Sequence, residues 1–126
     1  MLPDNISDEE FLYRRIRVEN QWDKQNDRPS SAAFKDSNGL SVDRLGERTE
    51  QNVIISFKIF DPIAIAKVKV AICREKLCHI KYDPITSGVN ANIYHTLIHR
   101  STTKIELTDG QAKYLSKNCS TVYKSQ

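Results

Sequence analysis

A chain of 126 residues that is 39% hydrophobic and 28% charged has the length and composition of one globular domain and excludes a disordered chain. Its net charge of +3, from 19 basic and 16 acidic residues, is too small for the broad basic face of a general nucleic-acid binder. No run approaches the ~18 apolar residues of a membrane span, and the opening MLPDNISDEEFLYRR lacks the basic and apolar regions of a secretory signal.

In chain order, residues 1–10 read as a short acidic arm, and residues 11–126 as a single α+β domain. Leu12, Arg14, Ile16 and Val18 share one parity, which predicts a strand over about 11–18. A helix begun by Ser7, with Glu10 three residues on, is the competing reading, because that spacing is a capping box. From Glu19 to Glu50 the chain is polar, with Trp22, Phe34 and Leu40 as isolated anchors. It reads as a long ordered loop pinned to the domain by Trp22 and Phe34; long loops kept in compact domains tend to be functional.

Val53 to Phe60, VIISFKIF, alternates Val53, Ile55, Phe57 and Ile59 and predicts a central strand with Ile55 and Phe57 buried. Asp61-Pro62 is an N-cap and first-turn pair, so residues 62–76 are expected to begin a helix. The alternation of Val68, Val70 and Ile72 runs against that reading. Cys78–Tyr82 and Tyr94–Arg100 read as short strands separated by a turn-rich loop. Thr108 or Asp109 starts a final helix with Ala112 and Leu115 facing inward. The fold expected is a small mixed or antiparallel sheet with two helices and a long ordered loop.

Cys73, Cys78 and Cys119 are odd in number and none has C-x-x-C spacing. They read as free thiols in a reducing compartment, so the expected location is the cytoplasm. His95 and His99 are four apart, but H-T-L-I-H lacks the glutamate of a zinc protease helix and no second ligand pair accompanies it. Neither a metal nor a cofactor is expected.

The remaining polar residues suggest anion chemistry. Arg14 and Arg15, and Arg44 in RPSSAAFKDSNGLSVDR, offer planar donor forks suited to phosphate or carboxylate. Ser31 and Ser41 add hydroxyls, and Ser37-Asn38-Gly39 lets the backbone turn. His95 is the candidate acid or base, since an imidazole can give and take a proton near neutral pH. No Walker A motif, G-x-G-x-x-G run or G-x-S-x-G elbow is present. The expectation is a binding module for a phosphate-bearing small molecule or a protein partner, formed by Arg14, Arg15, Ser31, Ser41 and Arg44 beside His95. An enzyme acting on a nucleotide or nucleic acid through His95 is the alternative.

The blocks L-Y-R-R-I at 12–16, R-P-S-S-A-A-F-K-D at 28–36 and G-L-S-V-D-R at 39–44 resemble those of a family of small bacterial proteins of unassigned function. The later run from Asp83 through Asn90 to His95 extends the likeness, although the family's N-P-A-H is here Asn90-Ala91-Asn92-Ile93-Tyr94-His95. That resemblance implies a mobile-element or defence setting and no particular activity. Leu12-Tyr13-Arg14 followed by a serine-rich segment also resembles the first two blocks of ADP-ribosyltransferase-like folds. There an Arg or His meets the dinucleotide, a serine stretch packs beneath it, and a late glutamate orients the ribose; Glu106 would be that glutamate.

Overall fold

A computed structural model describes residues 1–126. Its centre is a six-stranded sheet in the order β6-β7-β4-β1-β5-β8, every neighbouring pair antiparallel. The strands are β1 (Phe11–Ile16), β4 (Leu40–Arg44), β5 (Ala64–Lys69), β6 (His79–Tyr82), β7 (His95–His99) and β8 (Ser120–Lys124). A two-stranded ribbon of β2 (Trp22–Asp23) and β3 (Arg28–Pro29) lies apart from it. Three helices complete the α+β fold: α1 (Glu50–Lys58), α2 (Val70–Glu75) and α3 (Asp109–Asn118). None is long and apolar enough to cross a membrane.

The alternation of β1 divides the molecule into two layers of packing. Leu12 and Ile16 join the larger core with Phe34, Leu40, Ile98 and Leu115, on the face that carries α2 and α3. Tyr13 joins a smaller cluster with Val53, Ile54 and Phe57 of α1 and Ile65 of β5. The arm is ordered although it forms no helix or strand: Ile6 is buried, and the carbonyls of Asp8 and Glu10 accept from Ala71 and Val70. The strand expected over 11–18 forms at Phe11–Ile16, with Val18 outside it and exposed, and the helix from Ser7 does not form.

Two elements depart from expectation. Residues 53–58 are the end of a helix, and Ile59 and Phe60 turn out of it; none of this stretch is a strand. Thr49 caps it by accepting from the Asn52 N–H, and the inward side chains Val53, Ile54 and Phe57 follow a helical rather than an alternating face. Ile55 is consequently 56% exposed, while Phe57 is buried as expected. Residues 62–76 begin as β5 and become helical only from Val70. Of the alternating β-branched residues only Val68 lies in the strand, Val70 and Ile72 being helical. The Asp61-Pro62 start signal fails because Asp61 sits in the left-handed region at φ 52°, where it cannot act as an extended N-cap.

The polar stretch 19–50 is less of a loop than its composition suggests. It contains 3-10 turns at Glu19–Gln21 and Ser31–Phe34, the β2–β3 ribbon, and β4. Phe34 is fully buried and Trp22 half-buried. Gly39, at φ 100°, turns the chain into β4, and a Cβ there would lie 2.9 Å from His99 Nε2. The strands at 79–82 and 95–99 and the helix at 109–118 agree with the sequence reading. Thr108 and Gln111 close a reciprocal capping box on α3. The final strand β8 was not expected.

Candidate functional site

The sheet is not evenly zipped. Strand β1 pairs with β5 along its whole length, from Phe11↔Lys69 to Ile16↔Ala64. On its other side it pairs with β4 only at Leu12↔Arg44 and Tyr13↔Asp43. Beyond Tyr13 the two strands part. The backbone carbonyl of Ser41 is then bonded by a side chain: Arg14 Nη1 donates to it at 2.9 Å, and Arg14 Nε donates to the Ala33 carbonyl at 2.9 Å. A guanidinium thus stands where ladder hydrogen bonds would have been.

A cleft of about 410 Å³ opens at this parting. Arg14, Arg15, Arg17, Ser41, Asp43 and His95 contribute to its polar lining, and Phe57 and Phe60 stand at its apolar side. The 85–92 connection supplies Ile85, Asn90 and Asn92. The sheet registers explain the gathering: Asp43 lies opposite His95 on β7 and Tyr13 on β1, so Ser41 and Arg15, two residues further on, share that face.

The cleft is electropositive for specific reasons. Arg14 is only 7% exposed, and its bonded partners are neutral carbonyls. Burial, with Arg17 and Arg15 nearby, outweighs Asp36 and brings its pKa down to about 10. Arg15 is half-buried, with its guanidinium carbon 4.2 Å from the centre of the Phe60 ring. Burial and Arg17 lower its pKa as well. None of Arg14, Arg15 and Arg17 forms a salt bridge.

The buried carboxylate of the site, Asp43, is pushed the other way. Burial raises its pKa although Asn92, Arg48, His95 and Arg15 pull against it. Asn92 Nδ2 donates to its Oδ1 at 2.8 Å. Arg48 approaches Oδ2 at 3.8 Å. Asn92 holds Oδ1 and the Arg48 charge stands near Oδ2, and no hydrogen bond joins Asp43 to Arg15.

His95 is firmly oriented. Its Nδ1 lies 3.0 Å from the Asp83 backbone carbonyl and 3.2 Å from Asp83 Oδ2. Its Nε2 lies 3.2 Å from Ser41 Oγ. The Asp83 N–H donates to the His95 carbonyl in turn, so backbone and side chain fix the pair together.

Four of the residues expected to form a site, Arg14, Arg15, Ser41 and His95, therefore line one cleft. The other two do not. Arg44 points to the opposite face, where it is 3% exposed and donates to both carboxylate oxygens of Glu10, at 3.0 and 2.9 Å, and to the Pro3 carbonyl at 2.6 Å. It is this engagement with Glu10 and Pro3 that keeps its guanidinium out of the cleft lining. Ser31 begins the 3-10 turn beneath the larger core. Glu106 precedes α3 and is likewise outside the cleft lining.

Sequence reasoning missed Arg17, Asp43, Asn92, Asp83 and Phe60. Asp83 and Asn92 were visible only as members of the Asp83–His95 run, with no role attached to either. The thiols are poor nucleophiles where they stand: burial pushes Cys78 and Cys119 up to about 11, and Cys73 higher still. No protein-family model, curated protein or solved structure matches this chain.

Proposed function

We propose that the chain binds a phosphate-bearing ligand in the cleft between β1 and β4. The observation that carries this reading is the convergence on one concavity of buried Arg14, half-buried Arg15 and exposed Arg17, none of which forms a salt bridge. Buried or half-buried guanidinia are normally paired. Here the pairing is left to a ligand, and the planar forks match phosphate oxygens. A cytoplasmic location is part of this proposal, supported by three free thiols, and the resemblance of the sequence blocks suggests a bacterial mobile-element or defence setting.

One observation favours the enzymatic form of this reading over simple binding. A binding module has no need of a pinned imidazole, whereas His95 is oriented on one side by Asp83 and opens on the other into the arginine-lined cleft. A nucleotide is the ligand this favours, with His95 as acid or base. Of the Leu12-Tyr13-Arg14 block that resembles ADP-ribosyltransferase-like folds, Arg14 lines the cleft, whereas Ser30 and Ser31 of the serine-rich segment do not. Glu106 does not take the ribose-orienting role, and His95 is the late polar residue at the site.

Thermal melts with phosphate, pyrophosphate and ADP test the reading, because a ligand of the native state raises stability by mass action. Each should raise the melting temperature with concentration, ADP most, and Arg15→Ala should abolish the rise while hardly moving the unliganded melt. His95→Gln should keep the rise and lose turnover of the nucleotide. An unchanged melt with all three anions would leave a protein-interaction module as the better account.

A further inference from the structure

We propose that Ser41, His95 and Asp83 form a nucleophilic relay in which the Ser41 hydroxyl attacks the carbonyl carbon of an ester. The proposal goes beyond anion binding and rests on the proposed function for the role of His95 as a base and for the anion preference of Arg15 and Arg17.

The tautomer follows from the acceptors around the ring. A backbone carbonyl can only accept, so the contact of His95 Nδ1 with the Asp83 carbonyl at 3.0 Å places the proton of the neutral ring on Nδ1. Asp83 Oδ2 at 3.2 Å reinforces that choice. Nε2 is then a free lone pair, and Ser41 Oγ at 3.2 Å is its hydrogen-bond donor. The Ser41 side chain has no other hydrogen-bond partner in the protein. A nucleophile, a base and a group that orients the base stand in sequence within hydrogen-bonding reach.

The arrangement is built on rigid parts. Ser41 pairs with Leu97, and Asp43 with His95, in the β4–β7 ladder. Ser41 and His95 are therefore diagonal cross-strand neighbours, a spacing that the register fixes. Asp83 is tied to His95 through its own N–H. Arg14 is immobilised by its bonds to the carbonyls of Ser41 and Ala33. No hydrogen bond within the protein engages its Nη2, and Arg14 lines the same cleft. It is a fixed positive donor beside the nucleophile, suited to the negative charge that grows on a carbonyl oxygen under attack.

In the step, Ser41 Oγ bonds to the ester carbon while its proton passes to His95 Nε2. The carbon–oxygen bond to the alcohol then breaks, and the departing oxygen takes that proton. Water attacks the acyl-serine, gives its proton to Nε2, and the acid leaves as Ser41 recovers the proton. The sum is ester plus water to acid plus alcohol. Arg15 and Arg17 select an ester that carries an anionic group.

The test uses the whole chain and a fluorophosphonate probe, which bonds to an activated serine hydroxyl and releases fluoride. Intact-mass and peptide-mass measurements should find one adduct, on Ser41. Ser41→Ala should give none. His95→Gln should slow labelling at least about 100-fold, the lower range of a general base's contribution, with a melting temperature close to that of the unaltered chain. No adduct, an adduct on another serine, or equal labelling of His95→Gln would overturn the relay. The anion-dependent melt is read separately, so loss of labelling with that melt intact removes the nucleophile and leaves the anion site.

Discussion

Arg44 and Arg15 began as equivalent candidates, and the structure gives them opposite duties. Arg44 is buried against Glu10 and Pro3, so it anchors the arm to the sheet. Arg44→Ala should cost about 3–5 kcal/mol, because it strands a partly buried carboxylate; a urea melt measures this, and a near-neutral result would show that the pair is not closed in solution. Glu10 supplies the acid dependence. Burial raises its pKa, but the hydrogen bonds from Arg44 and the Gly46 N–H, with the Arg44 charge, outweigh it and leave the value lowered. The pair's contribution is complete above the ordinary glutamate range and is lost as the pH falls through the lowered value. Glu10→Gln should therefore differ most from the unaltered chain near neutral pH and converge with it in acid. A constant gap across the titration would contradict that assignment. The arginine-rich blocks were legible as anion chemistry, but which arginine faced which side depended on register, and no residue type encodes register.

The helix α1 shows why an element can be misread. VIISFKIF has the β-branched content and alternation of a strand, yet Thr49 caps a helix and the chain around it accommodates one. Propensity is a weak prior that tertiary packing overrides, and only the spacing Val53, Ile54, Phe57 held the helical signal. The difference is measurable. Ile55→Lys should change stability by no more than about 0.5 kcal/mol, as at other exposed positions, whereas a central strand would not tolerate it. Phe57→Ala should cost about 3 kcal/mol from its place against Tyr13 and Ile65. At the other end of the chain, Thr108→Ala should remove the capping box of α3 and cost about 1 kcal/mol. That helix was readable because its start signal and its apolar face agree. The strands at 79–82 and 95–99 were readable for the same reason, each a short alternating run closed by turn residues. β8 was not, since STVYK is short, half-exposed and becomes a strand only by pairing with β5.

At the scale of the molecule, one irregularity organises the rest. A sheet that paired β1 with β4 along their full lengths would have no cleft and no use for Arg14. Parting the strands after Tyr13 costs ladder hydrogen bonds, and Arg14 replaces them at the cost of a buried positive charge. Arg14→Ala should therefore destabilise by about 3 kcal/mol, as two backbone carbonyls lose a charged donor, while Arg15→Ala should be close to neutral. The sequence could not reveal the parting, because it lies in the geometry between two strands 24 residues apart at their facing ends. It could reveal the residues that such a parting would expose. Calorimetric titration of pyrophosphate into the unaltered chain and into an Arg15→Ala, Arg17→Ala double variant tests this most directly. The account predicts one-to-one binding that weakens with added salt and disappears in the double variant, whose melting temperature stays within a few degrees. Equal heats from both proteins, or none from the unaltered chain, would contradict an anion site in the cleft.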